Sequence, residues 1–187
     1  ASAETIKYAS NAFLATKLSF INAVAAVCEA VGADVADVVT GMGYDTRIGR
    51  EFLRPGPGWG GSCFPKDTLA MVRIAADAGY DFGLLKGVVE VNDQQFDRVV
   101  DKIRRGVAGP LAGATVALWG LTFKARTDDL RDSPAIEIVE RLLAAGASVA
   151  AYDPEVDKGT EVVPGLDVLD DAVAACEGAD ALVVLTE

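Results

Sequence analysis

Apolar residues in the first part of the chain recur at the three- and four-residue spacing of an α-helix. Over residues 2–31 they are Ile6, Phe13, Leu14, Leu18, Ile21, Val24, Val27 and Val31. Gly32 follows and is suited to end a helix. The pattern predicts a helix of about thirty residues, longer than most globular helices. Its wide apolar face must be buried against other helices or against a second subunit.

Three further helices are predicted before the pattern changes. They span residues 34–40, 65–78 and 84–106, the second of these with Pro65 in its first turn and Gly79 after its end. Between the helices at 34–40 and 65–78 lies an irregular stretch that is dense in glycine and proline. Loops of this length inside compact domains are usually functional or disordered.

After Gly109 and Pro110, short β-type runs alternate with helical segments. The predicted strands are 114–120, 148–154 and 180–186, with a capped helix at 133–146 and a helical pattern at 169–179 leading into the last strand. Such alternation is typical of a parallel sheet with crossover helices. We therefore predict an all-α dimerisation domain, residues 1–106, followed by an α/β Rossmann-like domain, residues 107–187, whose parallel sheet is incomplete at the C-terminus.

Charge and hydropathy exclude several classes of partner. The chain has 28 acidic and 17 basic residues, a formal net charge of -11, so a broad basic surface for nucleic acid or anionic lipid is not expected. Charges or glycines interrupt the apolar stretches before the roughly 18 residues that a membrane span needs, and the N-terminus has no signal-peptide pattern. We expect a cytoplasmic protein without membrane or nucleic-acid partners.

The chain contains three cysteines, Cys28, Cys63 and Cys176, and no histidine. The cysteines are widely spaced and form no CxxC pair, so neither a zinc site nor a disulfide framework is predicted. Cys28 and Cys176 lie in apolar helical patterns and are interpreted as structural. The absence of histidine excludes any reaction that needs histidine as its base.

Cys63 differs because it lies where glycine-rich sequence meets a predicted helix, in PGPGWGGSCFPKD. The amides of the helix N-terminus and the neighbouring Lys66 both favour thiolate over thiol. Asp67 follows one turn later, within reach of the thiol or of a water beside it. The alternative is a buried filler cysteine followed by a first-turn acid that the helix dipole favours. The combination of glycines, helix start, lysine and acid favours a reactive thiol.

Two other regions carry candidate chemistry. Lys7 and Asn11 share a face of the first helix and could donate hydrogen bonds to an oxyanion, although spacing alone favours a solvated lysine and an exposed asparagine. The stretch GLTFKARTDDLRDSP follows the first predicted strand, where doubly wound folds bind nucleotides. Its cations Lys124, Arg126 and Arg131 suit a phosphorylated ligand, and solvated loop charges explain them equally well. The stretch is not the G-x-G-x-x-G fingerprint of dinucleotide-binding folds, and no such fingerprint is identified elsewhere in the chain.

Three motifs, KYASNAFLATKLSFIN, GGSCFPKD and WGLTFKARTDDLRDSP, resemble those of the UDP-glucose/GDP-mannose dehydrogenase family, in that order along the chain. The resemblance covers nearly the whole chain, matching the family's central helical domain and most of its C-terminal nucleotide-sugar domain. It implies that the family's N-terminal NAD-binding domain is missing. We therefore expect the chain alone to be inactive and to bind NAD weakly.

The resemblance also implies a reaction. Members of this family oxidise the C6 alcohol of a nucleotide sugar to a carboxylate with NAD as cofactor, through a thiohemiacetal and a thioester on a cysteine. Cys63 matches that nucleophile, and Asp67 matches the residue that helps to activate the hydrolytic water. Lys7 and Asn11 match the pair that stabilises the oxyanion.

Binding residues and partners follow from the same resemblance. Matches to substrate contacts are Arg47, which in the family reaches across the dimer, Phe52, Leu53, Gly60, Phe123 and Lys124. Matches to NAD contacts are Lys66 and Arg131. The implied partners are a UDP-sugar substrate and a second copy, bound through the central helical domain.

The identity of the sugar stays open at this point. The loop FLRPGPGWGGSCFPKD is closer to that of UDP-glucose enzymes than to that of GDP-mannose enzymes, with Trp59 where phenylalanine is commoner. UDP-N-acetyl-mannosamine and GDP-mannose are the alternative substrates. A noncatalytic nucleotide-sugar-binding or dimerisation module is the alternative function.

Overall fold

The computed structural model describes residues 2–186, which divide into two compact units. The first unit extends to Trp59 and resumes over Cys63–Gln95. The second comprises Gly60–Ser62 and the described chain from Phe96 onward. The division falls inside a helix, between Gln95 and Phe96.

Helices build the first unit. They are α1 (Ser2–Val31), α2 (Val35–Gly43), α3 (Phe64–Asp77) and α4 (Gly83–Gly106), which continues into the second unit. Each confirms a predicted helix, with ends shifted by a few residues. Asp34 caps α2 by accepting a hydrogen bond from the Ala36 amide at 2.7 Å. Gly32 and Gly79 follow α1 and α3 with φ angles of 73° and 78°, which glycine adopts at low cost.

Small residues let α1 lie close to its neighbours in this unit. Ala12 and Ala15 are buried and pack in one cluster with Trp59, Leu85 and Val88. Polar groups near this buried cluster must therefore find hydrogen-bond partners within the unit.

Helix α1 is long and apolar enough, by length and composition alone, to cross a membrane. This finding differs from the expectation that charges interrupt every apolar stretch too early. The core helix of a soluble protein meets the same criterion, and α1 also carries buried polar side chains. Ser19 donates to the Val88 carbonyl at 2.8 Å, and Asn22 accepts from the Gly56 amide at 2.9 Å. These contacts fit a helix packed against protein.

A four-stranded parallel sheet forms the centre of the second unit. Its strands are β1 (Thr115–Trp119), β2 (Ser148–Tyr152), β3 (Leu166–Leu169) and β4 (Ala181–Val184), in the order β3-β2-β1-β4. Helix α5 (Pro134–Ala144) connects β1 to β2. The predicted α/β class with a parallel sheet is confirmed, as is the helical part before it.

Two details of the prediction were wrong. Strand β3 was missed because its four residues include the charged Asp167 and so form no continuous apolar run, unlike the equally short edge strand β4. The helical pattern at 169–179 contains only a short 3-10 helix, Ala174–Cys176. Cys176 therefore lies half-buried in a single turn, whereas Cys28 is buried in α1 as predicted.

The core of the second unit lies between the sheet and its helices. Val116, Leu118, Ile138 and Leu142 are fully buried there. Ser133 caps α5, as predicted: its hydroxyl accepts from the Ala135 amide at 3.2 Å and donates to the Leu121 carbonyl at 2.7 Å. The cap therefore fixes the start of α5 and also the loop that follows β1.

Candidate active site

Cys63 occupies the position immediately before α3 and is exposed. Pro65 lies in the first turn of the helix, where its missing amide hydrogen costs nothing. The Cys63 carbonyl accepts the Asp67 amide at 2.9 Å, which closes that first turn. The thiol lies outside any disulfide, at the N-terminus of α3.

A buried carboxylate joins α3 to α1 beside this position. The Asp67 side chain is fully buried and accepts hydrogen bonds from Asn11 Nδ2 and Lys66 Nζ, both at 2.6 Å. Lys7 Nζ lies 3.3 Å from the same oxygen that Asn11 contacts. Lys7 and Asn11, which share a helix face as their spacing predicted, therefore converge on Asp67.

Asp67 and Lys66 each stabilise the charged form of the other. Burial alone would raise the pKa of Asp67, but hydrogen bonds from Lys66, Asn11 and Lys7 outweigh it and lower the pKa from its ordinary value. The hydrogen bond to Asp67 in turn raises the pKa of Lys66. The carboxylate is therefore ionised at neutral pH and holds both lysines.

The lysines remain accessible although they are anchored. The side chains of Lys7 and Lys66 are 57% and 62% exposed, so each ammonium can offer remaining donors to a ligand. A thiol at a helix start together with anchored N–H donors is a combination suited to covalent catalysis on a carbonyl group.

The loop that precedes Cys63 contains the other predicted substrate residues of this unit. Phe52 adopts a positive φ of 59° and contacts the Phe64 ring edge-on at 6.3 Å between centroids. The Leu53 side chain is buried, so contact with a ligand would come from its backbone. Arg47 is exposed and forms a bidentate pair with Asp45, whose pKa it lowers.

Close contacts inside the second unit require glycine at positions 60 and 61. The Gly61 amide donates to the Asp132 carbonyl oxygen at 3.2 Å. A Cβ atom on Gly60 would lie 1.8 Å from that oxygen, and one on Gly61 would lie 2.6 Å from the Phe123 ring. Side chains at both positions are therefore excluded by neighbouring atoms.

Asp153, at the end of β2, organises the loop after β1. One of its carboxylate oxygens accepts the amides of Leu121 and Thr122 at 2.7 and 3.0 Å and also the Thr122 hydroxyl at 3.2 Å. In dinucleotide-binding folds, an acidic residue at this point of the chain binds the ribose. Here the buried carboxylate instead accepts hydrogen bonds from the protein's own backbone amides.

Contrary to the interpretation of the sequence, the letters G-x-G-x-x-G do occur at residues 56–61, but in the wrong structural setting for a dinucleotide. The stretch lies between α2 and α3, with no strand before it, whereas the fingerprint works as a turn from strand to helix. Together with the occupied Asp153, this means that residues 2–186 do not form a dinucleotide site of the Rossmann type.

Apart from Gly60, the predicted residues of the second unit lie on the loop after β1. Lys124 Nζ lies 5.1 Å from the centroid of the Phe123 ring. Arg131 forms a bidentate pair with Asp129 and holds the pKa of that carboxyl at about 2. Arg126 has a positive φ of 64°; strained residues of this kind often mark ligand-binding loops.

A cavity of about 510 Å³ opens at the carboxyl ends of β1, β2 and β4, where parallel sheets commonly bind ligands. Trp119 and Tyr152 contribute aromatic surface, and Arg126 contributes a cation. Two hydroxyl residues, Thr122 and Thr186, also line it, and the Thr186 hydroxyl donates to the Thr122 carbonyl at 2.6 Å.

Several buried polar residues that hold these loops in place were not predicted from the sequence. Ser19, Asn22, Asn92 and Asp153 are all buried. A usable signal was present, because each interrupts or directly follows an otherwise apolar pattern. A polar residue at such a position is buried only with hydrogen-bond partners.

Two domains of one protein family match this chain. The central domain of the UDP-glucose/GDP-mannose dehydrogenase family matches residues 1–94. The UDP binding domain of the same family matches residues 117–187.

Similar proteins and structures agree with these matches. The chain is 50% identical to the UDP-glucose 6-dehydrogenase TuaD of Bacillus subtilis, covering 100% of this chain and 41% of that protein. The UDP-glucose 6-dehydrogenase of Rhizobium meliloti is also 50% identical, with coverages of 98% and 42%. A UDP-glucose dehydrogenase structure from Pyrobaculum islandicum superposes with a TM-score of 0.91 at 36% identity, covering 99% of this chain and 43% of that one. The structure of the UDP-N-acetyl-mannosamine dehydrogenase Cap5O from Staphylococcus aureus superposes with a TM-score of 0.78 at 28% identity, covering 99% of this chain and 40% of that one. The chain thus spans about two fifths of the length of these relatives.

Substituting Gly60→Ala should lower the free energy of unfolding by about 1–3 kcal/mol, because the new methyl group meets the Asp132 carbonyl. Gly56→Ala is the matched control, since nothing lies within 4 Å of its Cβ position, and should change stability by less than about 0.5 kcal/mol. Urea unfolding of both variants measures the difference. Equal stabilities would contradict the close approach of Gly60 to the Asp132 carbonyl.

Substituting Asp67→Asn should destabilise the chain at pH 7 and less so in acid. The folded carboxyl has a lowered pKa, so its contribution is present above the ordinary value of about 4 and is lost as pH falls through the folded value. Urea unfolding at several pH values should therefore show that the free energies of unfolding of the wild type and of Asp67→Asn converge as pH falls below about 4. The control is Asp77→Asn at the exposed end of α3; a gap for Asp67→Asn that persists unchanged in acid would contradict the ionic role.

Proposed function

The chain belongs to the UDP-glucose/GDP-mannose dehydrogenase family, and we propose that it is the central and UDP-binding part of a UDP-glucose 6-dehydrogenase. Relatives of that name at 50% identity support the choice of UDP-glucose over other sugars. The observation that carries the catalytic proposal is the convergence of Lys7 and Asn11 on Asp67, one turn after the exposed Cys63.

The proposed reaction converts the C6 alcohol of UDP-glucose to the carboxylate of UDP-glucuronate. NAD supplies the oxidising equivalents by accepting one hydride at each of the two oxidations. In this chain Lys66 and Arg131 are its proposed contacts. Since the described residues do not form a dinucleotide site, we assign the main NAD site to the remainder of the longer enzyme.

Cys63 is proposed to act on the aldehyde. Its thiolate adds to the carbonyl carbon, and the resulting oxyanion is stabilised by N–H donors from Lys7 and Asn11 before it gains a proton. After oxidation to the thioester, water adds to the acyl carbon and the thiolate leaves, releasing the carboxylate. Asp67 holds the two donors in place and is proposed to help activate that water through them, because its own carboxylate oxygens are buried.

Five residues are proposed to contact the nucleotide sugar: the Phe52 ring, the Leu53 backbone, Gly60, Phe123 and Lys124, whose ammonium would bind phosphate oxygens. Arg47 is proposed to reach the active site of a partner subunit, exchanging Asp45 for the substrate; an 87% exposed side chain is compatible with that movement.

A homodimer through the first unit is supported by an apolar stripe on α1. Ile6, Phe13, Phe20 and Val27 are 66%, 66%, 53% and 61% exposed and recur every seven residues. A seven-residue repeat aligns side chains along one seam between two helices. Exposed apolar surface of this extent is typical of an interface. We also propose a cytoplasmic location and a domain division at residues 1–106 and 107–187.

Replacing Cys63 should abolish UDP-glucuronate formation by the longer enzyme. Cys63→Ala removes the group that captures the aldehyde, whereas Cys176→Ala, at a half-buried position in the other unit, is the matched control and should retain activity. NADH formation with UDP-glucose, UDP-N-acetyl-mannosamine and GDP-mannose measures both the role and the preferred sugar. The 187-residue chain by itself should oxidise none of them.

Other outcomes would favour the alternatives. Faster turnover of UDP-N-acetyl-mannosamine or GDP-mannose would change the substrate but keep the chemistry. Stabilisation of the chain by a nucleotide sugar, combined with a wild-type rate for Cys63→Ala, would instead support a noncatalytic binding module.

Substituting Phe20→Glu should convert the dimer to a monomer, because it places a charge in the middle of the apolar stripe. Val173→Glu is the control, since Val173 is 71% exposed but lies in the second unit. Sedimentation equilibrium at micromolar concentration measures both. A wild-type chain that is already monomeric would contradict the dimer.

A further inference from the structure

Side chains from two helices hold the glycine-rich loop that leads to Cys63. At Gly56, the amide donates to Asn22 of α1 at 2.9 Å and the carbonyl accepts from Gln95 of α4 at 2.7 Å. Asn92 of α4 binds both backbone groups of Trp59. The Asn92 side-chain oxygen accepts a hydrogen bond from the Trp59 amide at 2.8 Å, and the Asn92 side-chain nitrogen donates to the Trp59 carbonyl at 2.9 Å. Both ends of the segment 56–59 are thus fixed to helices.

The Trp59 side chain is fixed as firmly as its backbone. Its indole N–H donates to the Ser19 hydroxyl at 2.8 Å, and the residue is only 6% exposed. The indole also meets the Phe64 ring edge-on, with 6.4 Å between centroids. Phe64 is the first residue of α3 and directly follows Cys63. Trp59 therefore connects the side chains on α4 to the start of the helix that carries the thiol.

We infer that Asn92 and Gln95 are positioning residues for Cys63: they fix the loop at residues 56–59 and, through the contact of Trp59 with Phe64, set where α3 begins. The inference rests on the proposed catalytic role of Cys63. Neither side chain needs to touch the substrate. Errors of about 1 Å in a reacting group, caused by changes outside the chemistry, can cost about a hundredfold in rate.

Two adjacent glutamines provide a matched test. Gln95 donates to the loop at Gly56, whereas Gln94 donates to Glu90 within its own helix at 3.1 Å. Gln95→Ala and Gln94→Ala therefore remove the same group from neighbouring positions, and only the first loosens the loop. Asn92→Ala is the stronger variant, because it removes both contacts to Trp59.

Kinetics of the longer enzyme and alkylation of Cys63 in the 187-residue chain give independent readouts. We expect kcat to fall about tenfold or more for Asn92→Ala and by less for Gln95→Ala, with KM nearly unchanged and Gln94→Ala like the wild type. Alkylation of Cys63 by iodoacetamide at pH 7 should slow in the same order, because the loosened loop no longer holds the thiol in one position at the start of α3.

Wild-type kcat and alkylation rates for folded Asn92→Ala and Gln95→Ala would overturn the inference, and so would a change in KM alone. If Asn92→Ala does not fold, Gln95→Ala alone tests the inference. This variant loses only the hydrogen bond to the Gly56 carbonyl, at a partly exposed position. If the wild-type enzyme oxidises no nucleotide sugar, the proposed function fails, and the alkylation series still tests the positioning.

Discussion

The arrangement of the first unit depends on one buried carboxylate. Asp67 loses its hydration completely, and such a charge is tolerated only when hydrogen bonds and opposite charges replace the water. Asn11, Lys7 and Lys66 provide them from two helices, so the partners that make the carboxylate possible are also the groups that it aligns. Without it, two ammonium groups would repel each other beside the thiol. The polar cluster and the packing of α1 on α3 are therefore parts of one interaction.

The second unit uses a buried carboxylate in a different way. Asp153 gathers backbone amides and a hydroxyl rather than cations. Its effect is to fold the loop after β1 onto the end of β2, and Ser133 holds the same loop from the side of α5. The loop that carries Phe123 and Lys124 thus has a defined shape before any ligand arrives, which lowers the ordering cost of binding.

Sequence patterns were sufficient for most of the fold because they report local preferences. The helical spacing in α1, the Pro65 helix start and the Ser133 cap depend on nearby residues alone. Strand β3 was missed because the charged Asp167 interrupts its short apolar run. In the candidate site, Lys7 and Asn11 could be paired by spacing, but their common partner Asp67 could not, since it lies 56 residues from Asn11. The partners of Asn92 were hidden for the same reason.

Asp153 also limits how this fold can be redesigned. A designer who wished to give the second unit affinity for a dinucleotide would first need to release the carboxylate from the Leu121 and Thr122 amides. Those amides would then be buried without partners, at a cost of about 1–3 kcal/mol each. Converting the second unit to dinucleotide binding would therefore also require a glycine-rich turn in place of residues 120–122. A single inward-facing acid can in this way keep a parallel-sheet domain from binding a dinucleotide.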